Sequence, residues 1–397
     1  MTTYLRGITW DHTRGYVPLV ATAQRFHERH QDVDVLWDRR SLQGFAHNID
    51  TLIDHYDLLV IDHPCVGDAS SQQWLLPLDQ YVAPKYLAEL ADQSVGRSHA
   101  SYQADGHPWA LAIDAAAPVA VSRPDLFERM GVDKPRDWSD VVALARRGCV
   151  IVPAKKIDLL MHFYMVVNAM DGELFEDGRV APRDIGILAL ESLRELLQWC
   201  PRESLDFSPI QVYEAMADQD HYAYCPFIYG YVNYSQRGYA RNPLDFGDLV
   251  TWRHQAPLAG VLGGTGLAIS SRTKYIAQAV SYVEYVASVA TQGTLYPAAG
   301  GQPAIKSVWL DDEVNRSTHQ FYRNTLPALE RSYLRPTYPG YLLFQDRAGD
   351  LIHSYFRNGG TPQEVVERLD KLYRGSLEGD IRGDAGSSWD ALGNRKR

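Results

Sequence analysis

Cysteine and long apolar runs are both scarce in this sequence of 397 residues. The cysteines lie far apart, at Cys65, Cys149, Cys200 and Cys225, and they form no Cys-x-x-Cys motif and no Cys/His ligand spacing. Neither a disulfide framework nor a structural zinc site is therefore indicated, and buried free thiols are expected. No run of about 18 apolar residues occurs, so the sequence contains no candidate for a membrane-spanning helix.

Positive charge is scarce as well. Lysine and arginine number 39 against 49 aspartates and glutamates, which gives a formal net charge of −10. Nucleic acid and anionic membrane surfaces bind clustered lysines and arginines, so neither is expected as a partner. A chain of this length is too long for one core, which predicts two lobes of about 150 to 200 residues each.

The N-terminus lacks the features of an export signal. Residues 1–3 lead directly into a predicted strand, without a charged segment, an apolar core and a small-residue cleavage site. As written, the sequence predicts a cytoplasmic protein. A periplasmic or extracellular location is expected instead if a leader has been removed.

The first sixty residues have the pattern of a β-α-β-α-β unit. Apolar residues predict strands over residues 5–10, 33–37 and 57–61, with an amphipathic helix after the first strand and a helix over about residues 41–55 after the second. In an open sheet of this kind, ligands bind beyond the carboxyl ends of the strands. The loops that follow the three strands are therefore expected to converge on a binding site.

These loops carry two Asp-His pairs, Asp11-His12 and Asp62-His63. A metal site needs three or four convergent ligands, so helix capping and hydrogen bonding are the favoured roles and no metal is predicted. Cys65 follows His63 by two residues. It is either a small apolar side chain that lines the pocket or a thiolate nucleophile.

Charged and aromatic side chains indicate a ligand class. Arg40 follows the second predicted strand, precedes a helix start, and offers a planar fork to a carboxylate or phosphate. With His12 and His63 it would place positive or switchable charge at one sheet edge of an acidic protein, which predicts an anionic ligand ahead of a neutral sugar. Trp10 and the aromatic-rich segment 222–239 predict stacking on an apolar ligand face.

The stretch over residues 102–147 connects the two predicted lobes. In WALAID (residues 109–114) every second residue is apolar, as in a half-buried strand, and Asp114 with the small residues after it interrupts that strand. One helix is predicted to end at Gly131, and a second to begin after Asp137 with Asp140 completing its cap.

Further along the chain, a strand is predicted over residues 150–152 and helices over residues 159–170 and 184–200, with Leu188 on the buried stripe of the latter. Pro226 and Gly230 exclude a helix in the aromatic-rich segment. The last helix is predicted over residues 362–373, with Thr361 as its N-cap and Glu364 completing a capping box.

The order of these elements, with the DLFERMGV helix and the PRDWSD segment, resembles the bacterial extracellular solute-binding proteins of family 1, which include the maltose-binding proteins of ABC importers. GVLGGTGLAIS (residues 260–270) is similar to the strand that returns to the first lobe in that family, and ATQGTLYPAAGGQPA (residues 290–304) to its following turn. The resemblance covers residues 5 to about 377.

This resemblance implies an α/β fold of the periplasmic-binding-protein type II, in which two lobes, each a mostly parallel sheet flanked by helices, enclose a ligand cleft. It implies a first lobe of residues 1–114 and 257–308, a second lobe of residues 115–256 and 309–377, and a flexible tail over residues 378–397. The strand-end loops and the resemblance together give the expected ligand-binding residues, which are Trp10, Asp11, His12, Arg40, His63, Pro64, Cys65, Asp114, Tyr229, Tyr231, Asn233, Gly263, Gly264 and Gln302.

The expected function is reversible binding of a small organic ligand, an acidic or aromatic carboxylate or a carbohydrate, as the solute-binding component of an ABC-type uptake system. A monomer without a cofactor is expected, with a transporter permease as its protein partner. The alternative is a cytoplasmic enzyme on the same fold, in which His12, Asp62, His63 or Cys65 acts as acid, base or nucleophile.

Overall fold

The computed structural model describes residues 2–42 and 49–379. The strands in these ranges are β1 (Thr3–Trp10), β2 (Val33–Arg40), β3 (Leu58–Ile61), β4 (Gln103–Ala104), β5 (His107–Pro108), β6 (Leu111–Ala116), β7 (Pro118–Ser122), β8 (Tyr224–Tyr229), β9 (Asp245–Gly247) and β10 (Gly263–Ile269). The helices are α1 (Thr13–Arg29), α2 (Ile49–Leu52), α3 (Val66–Ser71), α4 (Pro84–Asp92), α5 (Pro124–Met130), α6 (Trp138–Ala145), α7 (Lys156–Asn168), α8 (Arg183–Leu197), α9 (Pro209–Asp218), α10 (Ile276–Ala287), α11 (Val289–Gly293), α12 (Leu295–Ala298), α13 (Lys306–Leu310), α14 (Asp312–Ser317), α15 (Phe321–Glu330), α16 (Tyr341–Asn358) and α17 (Pro362–Leu377).

A five-stranded sheet forms the first lobe. Its order is β2-β1-β3-β10-β6, with β1 parallel to β2 and β3, and with β10 antiparallel to β3 and β6. Every residue of β3 is buried, as its continuous apolar sequence predicted. The predicted β-α-β-α-β order is confirmed. Of the helix predicted over residues 41–55, only α2 is helical in the described part, and residues 43–48 lie outside it.

The second lobe contains a three-stranded sheet of order β8-β7-β9. β7 is antiparallel to both neighbours, so the expectation of a mostly parallel sheet is wrong for this lobe. The strand predicted over residues 150–152 is also wrong, because only Val150 pairs, in a single bridge with Tyr224. Pro153, which has no backbone N–H to donate, follows this segment and limits its pairing.

Strand β6 continues through the position at which a break was predicted. All six of its residues are buried, so both the half-buried pattern and the interruption at Asp114 are corrected. A carboxylate can stay in a buried strand when a cation neutralises it, and Arg14 forms an ion pair with Asp114. β7 begins only two residues after β6 ends, and here the chain passes from the first lobe to the second.

Helix boundaries follow the capping residues closely. Asp137 and Asp140 form the capping box of α6, and Gly131 ends α5 with a φ of 63°. Thr361 caps α17 by accepting a hydrogen bond from the backbone of Glu364, although the second bond of the predicted box is absent from this cap. Leu188 is 37% exposed on α8, so its placement on the buried stripe is wrong.

The aromatic-rich segment 222–239 forms β8 and a short 3-10 turn, Val232–Ser235, in agreement with the exclusion of a helix. One apolar core fills the second lobe, and two others cover the faces of the first sheet. The chain passes between these cores around residues 114, 263 and 308. None of the helices in the described ranges combines the length and the apolar character that crossing a membrane requires.

Candidate functional site

A cavity of about 220 Å³ lies between the two lobes. The first lobe lines it with the carboxyl end of β1, the residue after β3 and the start of β10, and the second lobe with the start of α7, the end of β8 and the segment before α16. The lining residues are Trp10, Arg14, Leu42, Asp62, Ala116, Gly263, Gly264 and Thr265 from the first lobe and Lys155, Ile157, Asp158, Met161, Ser208, Pro209, Tyr229, Tyr231, Arg335, Gln345 and Asp346 from the second.

Backbone forms part of the wall at Gly264. This residue has a φ of 102°, and a side chain on it would overlap the carbonyl oxygen of Asp114. Glycine is therefore required on both conformational and steric grounds. A ligand at this wall would contact the main chain directly.

A buried ion pair between Arg14 and Asp114 supports one side of the cavity. The Arg14 Nε donates to Asp114 Oδ2 at 3.0 Å, Nη2 contacts Oδ1, and Nη1 donates to the carbonyl of Gly230 at 2.9 Å. The guanidinium also lies 4.6 Å from the ring centroid of Tyr231. Burial opposes the charge of Arg14, but Asp114 outweighs it and raises the arginine pKa. Arg14 thus joins the first sheet to the second lobe at β8.

A second ion pair crosses the cavity between Asp62 and Arg335. Nη2 of Arg335 lies 2.8 and 2.9 Å from the two carboxylate oxygens, and Nη1 donates to Gln345 Oε1 at 2.9 Å. Burial alone would raise the pKa of Asp62, but Arg335 and His63 lower it to about 2. Both members of the pair are charged at neutral pH, and they belong to different lobes.

The two histidines expected at the site are neutral. His12 is the N-cap of α1, and its Nδ1 accepts a hydrogen bond from the backbone of Arg14 at 3.0 Å. Burial, with Arg14 nearby, lowers the pKa of His12 to about 3. Burial and Arg335 likewise lower the pKa of His63 to about 4. Neither ring supplies the switchable positive charge on which the anionic-ligand prediction rested.

Cys65 does not line the cavity, contrary to its predicted place in the site. Its side chain is buried, and burial together with Asp62 and Asp68 raises the pKa of the thiol well above its usual value. A thiol in these surroundings stays protonated, which is the opposite of an activated nucleophile. His63 and Pro64 are buried beside it.

The remaining predicted site residues fall into three groups. Trp10, Tyr229, Tyr231, Gly263 and Gly264 line the cavity, as does Asp62 of the enzyme alternative. Asp114, Asn233 and Gln302 are buried where the chain passes between lobes. Asp11 is exposed and pairs with Arg39 at 3.1 Å, while Arg40 ends β2 and is absent from the cavity wall described above.

Gln302 bonds the crossing segments to one another. Its Nε2 donates to the carbonyl of Ala115 at 3.0 Å, and its Oε1 accepts from the backbone N–H of Val232 at 2.8 Å. Asn233 adds a bond from Nδ2 to the carbonyl of Gly300 at 3.3 Å. These two amides join the segments that pass between the lobes. Neither of them lines the cavity, where a ligand contact was expected.

Five charged residues on the wall were absent from the sequence prediction: Arg14, Lys155, Asp158, Arg335 and Asp346. Arg14 lies on α1, four residues past the end of β1, and a search extended by one helical turn would include it. Arg335 is 273 residues from Asp62, and no local pattern predicts their contact. Asp158 is the third residue of α7, where a capping role is the ordinary interpretation.

Known proteins resemble this chain in sequence and in fold. The family model of the bacterial extracellular solute-binding proteins matches residues 10–179. No curated protein sequence matches the chain.

Solved structures match over nearly the whole chain. The maltose-bound T. maritima MalE3 is 17% identical with a TM-score of 0.81, and the match extends over 94% of this chain and 99% of the MalE3 chain. A solute-binding protein from Agrobacterium radiobacter K84 in complex with ribitol is 19% identical with a TM-score of 0.81, covering 94% and 98%. A third, from Thermotoga lettingae TMO with α-D-tagatose, is 17% identical with a TM-score of 0.80, covering 95% and 100%.

The fold is therefore that of the two-lobed solute-binding proteins. The predicted resemblance to the bacterial extracellular solute-binding proteins, and the type II fold that it implied, are confirmed.

Proposed function

We propose that this protein reversibly binds a small polyhydroxylated molecule, a carbohydrate or a polyol, in the cavity between its lobes, as the solute-binding component of an ABC-type uptake system. The observation that carries the proposal is the wall of the cavity, which combines aromatic faces with two arginine–aspartate pairs drawn from both lobes. The order of ligand classes predicted from the sequence is thereby reversed.

The paired charges favour hydroxyl groups over a carboxylate. Each guanidinium already has a carboxylate partner, so an anionic ligand would have to compete for it. A hydroxyl group both donates and accepts, and it can bond to a carboxylate oxygen and a guanidinium N–H side by side. Trp10 and Tyr231 offer faces on which the C–H surface of a sugar ring can stack.

The size of the cavity points to a small ligand. A volume of about 220 Å³ is below the roughly 300–1,000 Å³ of pockets for drug-sized molecules. A single sugar ring or a linear polyol suits this space better than a long oligosaccharide. The ribitol and α-D-tagatose complexes of structurally similar proteins support a ligand of this size.

The geometry gives the enzyme alternative little support. Cys65 is protonated and lies away from the cavity wall, and His63 is buried beside it. His12 is committed to capping α1, and Asp62 to Arg335. No arrangement of a nucleophile with an adjacent base faces the cavity among the described residues.

We place the division between the lobes near residues 114, 263 and 308, with the second crossing a few residues later than the predicted 257, so that closure about these crossings would enclose the ligand. The extracellular description of the matched family supports a location outside the cytoplasmic membrane and delivery to a transporter permease. A monomer is sufficient, because one chain supplies both walls of the cavity.

A binding screen tests the proposal. Thermal unfolding is measured with neutral sugars, polyols and small carboxylates, and each compound that stabilises the fold is titrated by calorimetry. We expect a neutral sugar or polyol to raise the unfolding temperature and to be recovered unchanged, because a ligand specific for the folded state stabilises it by mass action. Binding of carboxylates alone, or conversion of the bound compound, would contradict the proposal.

A further inference from the structure

One carboxyl group on the cavity wall has no ion-pair partner in the part of the chain that the structure describes. Asp158 is 4% exposed and lies at the third residue of α7. A backbone hydrogen bond from its own N–H reaches the carboxylate, but among the described residues no side chain forms a hydrogen bond or an ion pair with it. A buried carboxylate without a cationic partner is costly, and proteins ordinarily pair such groups or place them where a ligand completes them.

The two guanidiniums of the wall cannot supply that partner. Arg14 is held by Asp114, and Arg335 by Asp62 and Gln345. The ammonium of Lys155 is the nearby cation whose field acts on Asp158, but the two side chains form no ion pair. The Lys155 side chain is partly exposed, so it is hydrated rather than buried with the carboxylate.

The local charge balance is negative. Arg14, Lys155 and Arg335 line the cavity together with Asp62, Asp158 and Asp346, and Asp114 lies directly behind Arg14. With Asp158 ionised, the described wall and Asp114 behind it hold three cations against four carboxylates, in a molecule with a net charge of −10. A ligand cation is attracted to such a site and an anion is repelled.

The surroundings of Asp158 also suit a cation. Tyr229 and Tyr231 line the same cavity, and the charge of Asp158 acts on both phenols. Aromatic faces stabilise an ammonium group through the ring quadrupole, and they do so more strongly when water is excluded. A carboxylate beside two aromatic rings is an arrangement that selects a protonated amine over a hydroxyl group.

From this geometry we infer that the ligand is a polyhydroxylated molecule that carries one basic nitrogen, such as an amino sugar or an amino polyol, and that its ammonium group pairs with Asp158. The inference rests on the proposed function and narrows its ligand class. The paired arginines and aspartates would bind the hydroxyl groups, and Asp158 would discriminate between the amine and its neutral analogue.

Matched pairs of probes test this selectivity by calorimetry at about pH 7.5, where the amine of N-methyl-D-glucamine is protonated and those of the 2-amino sugars are partly protonated. The pairs are D-glucose with D-glucosamine, D-galactose with D-galactosamine, and D-glucitol with N-methyl-D-glucamine. N-acetyl-D-glucosamine serves as a probe that keeps the nitrogen but has no charge. We expect the amine to bind about tenfold or more tightly than its neutral partner in at least one pair, as for a charge-assisted hydrogen bond.

The variant Asp158→Asn should bring the ratio of amine affinity to neutral-probe affinity down to about one, because asparagine keeps the shape but not the charge. Asp184→Asn is the matched control, since Asp184 lies in the first turn of α8, is exposed and is remote from the wall. The comparison with N-acetyl-D-glucosamine needs no variant and stands even if Asp158→Asn folds poorly.

The outcomes separate this inference from the proposed function. Neutral probes that bind as tightly as the amines, or a preference that persists in Asp158→Asn, would overturn the inference and leave the proposed function intact. Absence of binding by every sugar, polyol and amine tested would overturn both.

Discussion

At the scale of single residues, Asp158 carries the clearest consequence for stability. Burial raises the pKa of this carboxyl from 3.8 to about 7, and Lys155 offsets only part of the rise. Between pH 3.8 and about pH 7, Asp158 is therefore protonated in the folded protein and ionised in the unfolded chain. The free energy of unfolding falls as the pH rises through this window, because the native state binds more protons there.

The substitution Asp158→Asn should abolish this decrease in the free energy of unfolding with rising pH. We expect the variant to be more stable than the parent by about 1–3 kcal/mol at about pH 8, with little gain at about pH 4, as measured by urea unfolding. Asp184→Asn is again the control. The two facing tyrosines keep one protonation state over this range, since burial raises the pKa values of Tyr229 and Tyr231. An equal gain at both pH values would contradict this account of Asp158.

The cysteines give a second prediction at this scale. All four are free and buried, and burial raises the pKa values of the thiols of Cys65 and Cys225. We expect the native protein to react with less than about one equivalent of a disulfide reagent and the unfolded protein with all of its thiols, because the thiolate is the reactive form. Rapid native labelling that is lost in Cys65→Ser would revive the nucleophile hypothesis.

At the scale of elements, the loop after β3 packs tightly against the segment before α16. Asp62 binds Arg335, and Asp68 Oδ1 accepts a hydrogen bond from the backbone of Gly340 at 2.8 Å. Between these contacts a side chain at Gly67 would overlap the carbonyl oxygen of Thr337. Glycine at this position lets the two lobes approach each other.

Gly67→Ala should therefore separate the lobes locally. We expect a loss of about 1–3 kcal/mol in unfolding free energy, the usual cost of overpacking, and weaker ligand binding because Arg335 is displaced from Asp62. The control is Gly247→Ala on β9, where an added methyl group meets nothing within 4 Å. Equal stability of the two variants by denaturant unfolding would show that the contact is looser than the structure indicates.

Local sequence patterns predicted the elements better than the contacts between them. The caps of α6 and α17 and the buried strand β3 followed from residues a few positions apart, because helix ends and apolar runs depend on local chemistry. The break predicted at Asp114 failed because Arg14, a hundred residues away, neutralises that carboxylate. The antiparallel second sheet likewise depends on β8, which returns more than a hundred residues after β7.

Local sequence patterns likewise predicted only some residues of the candidate site. Trp10 was predicted at the site because it ends a strand, and Gly264 because its segment resembles the return strand of the family. Apart from Asp62, the charged residues of the wall were missed because each has the local pattern of a helix or surface residue, and only the packing of two lobes brings them to one cavity. The anionic-ligand prediction loses the support of His12 and His63, because burial lowers the pKa values of both rings.

At the scale of the whole molecule, ligand binding should bring the lobes together. The connection runs through three crossings and is reinforced by the bonds of Arg14 to Gly230 and of Gln302 to Val232. We expect the radius of gyration from small-angle scattering to fall when a sugar identified by the screen is added, as in other two-lobed proteins that close around a hinge. Unchanged scattering at saturation would show that binding requires no closure.

The central claim, that one small polyhydroxylated ligand is bound unchanged between the lobes, is tested most directly by a crystal structure of the complex. We expect the intact ligand to lie between Trp10 and Tyr231, with its hydroxyl groups on the Asp62–Arg335 pair and its nitrogen within hydrogen-bonding distance of Asp158. A ligand bound outside this cavity, or one found as a reaction product within it, would contradict the account.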